Sequence, residues 1–190
     1  MLLPLPCKSL LVLGGARSGK SAYAQRVVER SGLERVLIAT AEAGDAEMAE
    51  RIARHRADRG ADWRLVEEPL DLPGALAYEA RPDRAVLVDC LTFWLSNLML
   101  AGHDPDGETE RFRKTLEALP GPAVLVSNEV GSGLVPGTPL GREFRDAQGR
   151  LNGVTAAACD VAVMLVAGCP LVLKPASGVD VLLTGGGRIA

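Results

Sequence analysis

The string Gly14-Gly15-Ala16-Arg17-Ser18-Gly19-Lys20-Ser21 satisfies every fixed position of the G-x-x-x-x-G-K-[ST] phosphate-binding loop. It follows an apolar run at residues 10–13, read as a buried strand, and precedes residues 22–29, read as a helix. A strand that hands its loop to a helix N-terminus commits the chain to an α/β architecture. Glycines let the backbone wrap closely around phosphate oxygens, so that successive N–H groups and the positive end of the helix point at the anion. Lys20 supplies a point charge to the outer phosphates, and the Ser21 hydroxyl is placed to hold Mg²⁺. Nucleotide binding is the first expectation.

Short continuous apolar runs recur at residues 10–13, 36–39, 85–88, 123–126, 161–166 and 171–173. Continuous rather than alternating apolar residues predict strands covered on both faces. Most are separated by helix-length segments, which predicts a three-layer P-loop NTPase fold with a mostly parallel sheet flanked by helices. With 190 residues the chain is read as one nucleotide-binding transferase domain over 1–190, residues 175–190 being a poorly patterned tail. Ligands in such sheets bind at the carboxyl ends of the strands, so the polar residues after each run are the candidates.

A hydrophobic fraction of 47% with 24% charged residues excludes disordered and fibrous classes, and a net charge of -3 argues against a nucleic-acid surface. Cys7, Cys90, Cys159 and Cys169 lack C-x-x-C spacing, which predicts neither a zinc site nor a disulfide framework and fits a reducing cytoplasm. The apolar N-terminus carries Pro4 and Pro6 and no basic segment, so it is not read as a signal peptide. The late apolar run is too short for a membrane span and is interrupted by Gly168 and Pro170.

A helix is predicted over residues 45–59 with Asp45 as its cap, which puts Met48, Ile52 and His55 on one face. Arg51, Arg54, Arg56, Arg59 and Arg64 crowd the same region. Two readings fit: a solvated basic face with His55 packed on its apolar edge, or guanidinium groups neutralising a polyphosphate while the imidazole attacks phosphorus. Val86-Leu87-Val88-Asp89 has the Walker B form, an apolar strand closed by a carboxylate that supports Mg²⁺. Residues 91–98 open an amphipathic helix with Thr92 as its cap and with Phe93 and Trp94 as core or subunit contacts.

Residues 101–107 read as a turn in which His103 has no role, and residues 108–119 as a surface helix. In Ser127-Asn128-Glu129-Val130-Gly131-Ser132-Gly133, Asn128 and Glu129 either contact a terminal phosphate or substrate hydroxyl, or only fix a glycine-rich turn. The helix predicted over residues 141–158 carries Arg142, Arg145, Arg150 and Asn152 and is either a substrate lid or a solvent-facing helix. Asp146-Ala147-Gln148-Gly149 matches the D-x-x-G string of regulatory GTPases but falls inside that helix, and no N-K-x-D string occurs.

Several strings act together: the phosphate loop; Glu47-Met48; Arg51-Ile52-Ala53-Arg54-His55 with Trp63 and Glu67; Ser127-Asn128-Glu129-Val130-Gly131; Val135-Pro136; Phe144-Arg145-Asp146; Gly149-Arg150; and Asn152. Over residues 10–174 they resemble the bifunctional adenosylcobinamide kinase / adenosylcobinamide-phosphate guanylyltransferase family of cobalamin biosynthesis. The resemblance implies that ATP or GTP phosphorylates the aminopropanol hydroxyl of adenosylcobinamide. It also implies that GTP guanylylates His55, which passes GMP to adenosylcobinamide phosphate to give adenosyl-GDP-cobinamide.

Its nucleotide contacts fall on Gly14, Gly15, Ala16, Arg17, Ser18, Gly19, Lys20 and Ser21, on Thr40, Ala41 and Glu42, on Arg56, Ala57, Asp58 and Arg59, and on Glu67 and Asp89. Lys20 and His55 are the implied catalytic pair and Ser21 with Asp89 the implied Mg²⁺ ligands. Asp89 stands where many relatives carry the longer Glu, so it is assigned either to metal or to guanine. A homo-oligomer in the cytoplasm is the implied assembly. The rival readings are a small-molecule kinase without guanylyl transfer and a nucleotide-dependent regulatory ATPase; neither requires His55 and its arginines.

Overall fold

The computed structural model describes residues 7–42 and 62–174. Along the chain stand β1 (Ser9–Gly14), α1 (Lys20–Glu29), β2 (Glu34–Ala39), β3 (Trp63–Glu67), α2 (Leu72–Glu79) and β4 (Arg84–Asp89). They are followed by α3 (Leu91–Leu100), α4 (Pro105–Glu117), β5 (Ala123–Asn128), α5 (Pro139–Ala158), β6 (Val161–Val166) and β7 (Cys169–Lys174). The strands form one sheet in the order β3-β2-β4-β5-β1-β6-β7, parallel throughout except that β7 runs antiparallel to β6. The α/β sheet expected from the apolar runs is therefore present.

The pleat divides the core into two layers. Leu11, Leu13, Ile38, Val86, Val88 and Leu125 point into the layer built by α2, α3, α4 and α5. Leu10, Val12, Leu37, Leu87, Val124 and Val126 point the other way, against Ala24 and Val28 of α1. Burial on both faces is why these strands read as unbroken apolar runs. In the first layer Trp94 and Phe112, both fully buried, meet with ring centroids 5.2 Å apart, and Trp94 Nε1 donates to Leu70 O. Burying each such ring stabilises the fold by about 2–3 kcal/mol. Trp94 is thus a core residue.

Several local expectations change. β3 and α2 are additional elements: β3 is an edge strand whose Arg64 and Leu65 are exposed, and α2 is capped by Asp71, which accepts from Gly74 N. Residues 105–107 are the start of α4 and not a turn, because Asp104 accepts from Asp106 N and Pro105 fits a first helical turn. Thr92 does not cap α3; Cys90 holds the cap position and Thr92 lies inside the first turn.

The apolar run in β7 is not covered on both faces, since Leu171, Val172 and Leu173 are exposed at the end of the sheet. α5 is a core layer rather than a lid: Ala147, Gln148, Leu151, Asn152 and Thr155 are buried. Its arginines turn outward, Arg145 onto Asp146 and Arg150 onto Asp106. The helix predicted over residues 45–59 lies outside the described residues, with His55, Arg56, Ala57, Asp58 and Arg59, and so does the tail at 175–190. No helix among the described residues is long and apolar enough to cross a membrane.

Candidate functional site

All the parallel strands end on one edge, and the polar residues that follow them gather there. Gly14 closes β1, Thr40 follows β2, Glu67 closes β3, Asp89 closes β4 and Asn128 closes β5. Ala39 is in register with both Glu67 and Asp89, and Gly14 with Asn128. In-register residues of parallel neighbours share a face, and the alternation along β4 and β5 puts Asp89 and Asn128 on the α1 side of the sheet.

The phosphate loop is held from three directions. Ser18 N donates to Gly15 O, Glu129 N to Gly14 O, and Gly168 N in the β6–β7 turn to Ser18 O. A Cβ on Gly14 would lie 2.8 Å from Leu165 O and closer still to Ser18 Oγ, so only glycine fits against the neighbouring strand. Gly19 caps α1 at φ 92°, a left-handed conformation that glycine adopts without strain, and no acidic residue occupies the first turn. The N–H groups of a first helical turn have no acceptor within the helix, and together with the helix dipole they favour an anion. Lys20 Nζ folds back over the loop to donate to Gly15 O at 3.0 Å. Arg17 is exposed on the loop, at φ 56°.

The site suits both phosphate and a hard divalent cation. The Ser18 hydroxyl is buried in the loop and has no hydrogen-bond partner among the described residues, which leaves it free to donate to an anion there. Ser21 Oγ donates to Asp89 Oδ1 at 3.5 Å, bringing together two oxygen ligands of the kind Mg²⁺ takes. Among the described residues no cluster of three His, Cys, Asp or Glu side chains occurs, so a cation here would complete its shell with phosphate and water oxygens.

The other candidates separate. Thr40 is fully buried and its hydroxyl is used by the fold, donating to Cys90 O at 2.6 Å and accepting from Cys90 N at 2.9 Å. It ties β2 to β4, while Ala41 is half-buried and Glu42 exposed beyond it. Asn97 of α3 secures the same corner by donating to Thr40 O and Pro69 O. Glu67 is exposed and shares the edge, but four strand spacings, about 19 Å, separate β3 from β1. Glu129 accepts from Gly131 N at 2.6 Å and so fixes its own turn.

Sequence reasoning missed a buried polar network behind Asn128. Ser127 Oγ donates to Asn152 Oδ1 at 2.7 Å, and Gln148 Nε2 donates to both Ser127 Oγ and Asn152 Oδ1. Asn152 Nδ2 donates to Asn128 O, and Asn128 N donates to Thr92 Oγ1. The helical spacing of Gln148 and Asn152 is the sequence signal for one face carrying two amides.

A parallel sheet with a phosphate loop between β1 and α1, and a carboxylate one strand beyond its neighbour, defines a P-loop nucleotide-binding protein of the α/β class. A solved ATPase from the type III secretion system of pathogenic bacteria shares the fold at a TM-score of 0.51 and 14% identity; the likeness covers 84% of this chain and 51% of that one. Residues 10–173 match the family described as cobinamide kinase / cobinamide phosphate guanyltransferase. The bifunctional adenosylcobalamin biosynthesis protein CobP of Pseudomonas aeruginosa is 52% identical over 167 residues, 86% of this chain and 96% of that protein. The corresponding protein CobU of Salmonella typhimurium is 37% identical over 180 residues, 87% of this chain and 99% of that one. The chain belongs to the cobinamide kinase / cobinamide phosphate guanyltransferase family, and it is an enzyme.

Proposed function

We propose that this chain catalyses two successive phosphorus transfers on a corrinoid, the first to the aminopropanol hydroxyl of adenosylcobinamide. That hydroxyl oxygen bonds to the γ-phosphorus of ATP or GTP as the bridging bond to the β-phosphate breaks, giving the phosphate ester, a nucleoside diphosphate and a proton. In the second transfer a ring nitrogen of His55 bonds to the α-phosphorus of GTP and pyrophosphate leaves. A phosphate oxygen of adenosylcobinamide phosphate then displaces the histidine, giving adenosyl-GDP-cobinamide.

The observation that carries this reading is the Ser21–Asp89 contact beside the phosphate loop, in a chain of this family. The loop N–H groups and Lys20 hold the phosphates, with Ser18 donating from within. Ser21 and Asp89 would hold Mg²⁺, which when bound neutralises charge developing on the phosphates. The short reach of Asp89 and its contact with Ser21 favour the metal over guanine. An unperturbed imidazole, with a pKa of about 6.5, is largely neutral at physiological pH, and the neutral form is the one the attack by His55 requires. Arg56 and Arg59, with Ala57 and Asp58 between them, would receive the nucleotide beside it, and Thr40, Ala41, Glu42 and Glu67 would border its far end. The working enzyme is a cytoplasmic homo-oligomer of single-domain subunits that takes no nucleic acid.

The test is incubation with α-labelled GTP and Mg²⁺, followed by denaturation and a search for acid-labile, alkali-stable label on the protein. Wild type should carry it and His55→Ala should not. Equal labelling of the two would overturn the histidine intermediate. Lys20→Ala should abolish phosphorylation of adenosylcobinamide, and unchanged kinase activity would overturn the role of the loop.

A further inference from the structure

The end of β5 is built differently from the other strand ends at this edge. A strand residue's N–H and C=O point to the same side, and because Glu129 N bonds to β1, those of Asn128 point toward β4. The register of β4 stops at Asp89, opposite Val126, so Asn128 has passed the last backbone partner. Two side chains continue the ladder: Thr92 Oγ1 of α3 accepts from Asn128 N at 2.8 Å, and Asn152 Nδ2 of α5 donates to Asn128 O at 3.0 Å. Asn152 is itself fixed by buried Ser127 and Gln148.

Both backbone groups of one residue are thus clamped from two helices. Its half-buried side-chain amide makes no hydrogen bond among the described residues. That amide projects on the α1 face, on the strand between the phosphate-loop strand and the Asp89 strand.

Resting on the kinase reading above, we propose that the Asn128 amide contacts the terminal phosphoryl group of the bound triphosphate, and that Thr92 and Asn152 are positioning residues that hold it there. The position follows from the sheet: β5 pairs on one side with β1, which carries the phosphate cradle, and on the other with β4, which carries Asp89. A neutral amide there donates to phosphoryl oxygens without adding charge. The clamp fixes the backbone that carries the amide, so that its point of attachment does not shift during transfer. The same amide distinguishes a triphosphate from a diphosphate, since only the former extends to it.

The experiment measures binding of ATP, GTP, ADP and GDP, and separately kcat and KM for adenosylcobinamide phosphorylation. Loss of a hydrogen bond to a charged group is worth about tenfold or more. Asn128→Ala should therefore weaken triphosphate binding about tenfold while leaving diphosphate binding within about twofold, and should lower kcat at least as much. Thr92→Val should lower kcat about fivefold with KM little changed, and Thr92→Ser, which keeps the acceptor, should restore it. If Asn128→Ala discriminates triphosphate from diphosphate as wild type does, the contact is overturned. Should Asn128→Ala fail to fold, equal kcat in Thr92→Val and Thr92→Ser overturns the clamp. Wild type that binds none of the four nucleotides overturns the phosphate-loop reading itself.

Discussion

Ser21 Oγ lies 3.5 Å from Asp89 Oδ1 although the two are 68 positions apart in the chain. α1 carries the hydroxyl over the α1 face of the sheet, and β4 ends with its carboxylate on that same face. If the pair holds Mg²⁺, Asp89→Asn keeps the shape and removes the charge. Its phosphorylation rate should fall about 100-fold, and the Mg²⁺ concentration needed for half-maximal rate should rise. Asp89→Glu should retain most activity. A magnesium titration of initial rates on the three proteins checks this; an unchanged Mg²⁺ dependence in Asp89→Asn would assign the carboxylate elsewhere.

Gly14 and Gly19, two of the loop's three glycines, should respond differently to alanine. At Gly19 the left-handed φ of 92° is the obstacle, so Gly19→Ala should cost about 1–2 kcal/mol, or roughly 3–6 °C in Tm. At Gly14 the obstacle is Leu165 O on the neighbouring strand, so Gly14→Ala should shift the loop and weaken nucleotide binding beyond its effect on Tm. Thermal melts with and without nucleotide separate the two: wild-type-like nucleotide stabilisation in Gly14→Ala would contradict the close-approach argument.

The central strands were legible because burial on both faces leaves an unbroken apolar run, as at β1, β4 and β5. β3 was not, because an edge strand needs little apolar surface: Trp63-Arg64-Leu65-Val66-Glu67 alternates only weakly and carries charge. α2 was not legible either, because Pro and Gly at 73 and 74 disfavour a helix interior, whereas here Pro73 sits in the first turn and Asp71 supplies the cap. That residues 14–21 join a strand to a helix, and that Asp89 closes a strand, could be read from local patterns. The Thr92–Asn128–Asn152 clamp could not, since it joins three elements whose proximity only the fold determines.

Asp160 gives a pH prediction. Its carboxylate accepts from Lys8 N at 2.7 Å and Ser9 N at 3.1 Å, and Asp160 N donates back to Ser9 Oγ. The Lys8 amide, helped by that of Ser9, holds the carboxyl below the usual aspartate range despite some opposing desolvation. A depressed folded pKa contributes stability that is fully present above the ordinary value of about 3.9 and is lost as pH falls through the folded value. Asp160→Asn should lower Tm by about 3 °C at pH 7, the worth of a net hydrogen bond of about 1 kcal/mol. The gap should close below about pH 4, as the wild-type carboxyl is protonated. A constant gap across the acid range would mean that charge is not what the two amides recognise.

The cysteines give a readout of the site's core. Burial pushes the Cys90 thiol up to about 11, with the Asp89 carboxylate adding to the effect. Burial likewise pushes Cys159 up to about 12, against the nearby Lys174 ammonium, while Cys169 is exposed on β7. Only the thiolate is nucleophilic, so at pH 8 two factors protect Cys90 and Cys159: a small thiolate fraction and closed packing. A water-soluble maleimide should modify Cys169 at least about 100-fold faster than either. Cys90 lies between Asp89 and the start of α3, and Thr40 bonds to both of its backbone groups. Thr40→Val should therefore loosen this corner and speed labelling of Cys90 while leaving Cys159 unchanged. Mass spectrometry of timed aliquots resolves the three sites, and equal acceleration at Cys90 and Cys159 would indicate global destabilisation rather than a local tie between β2 and β4.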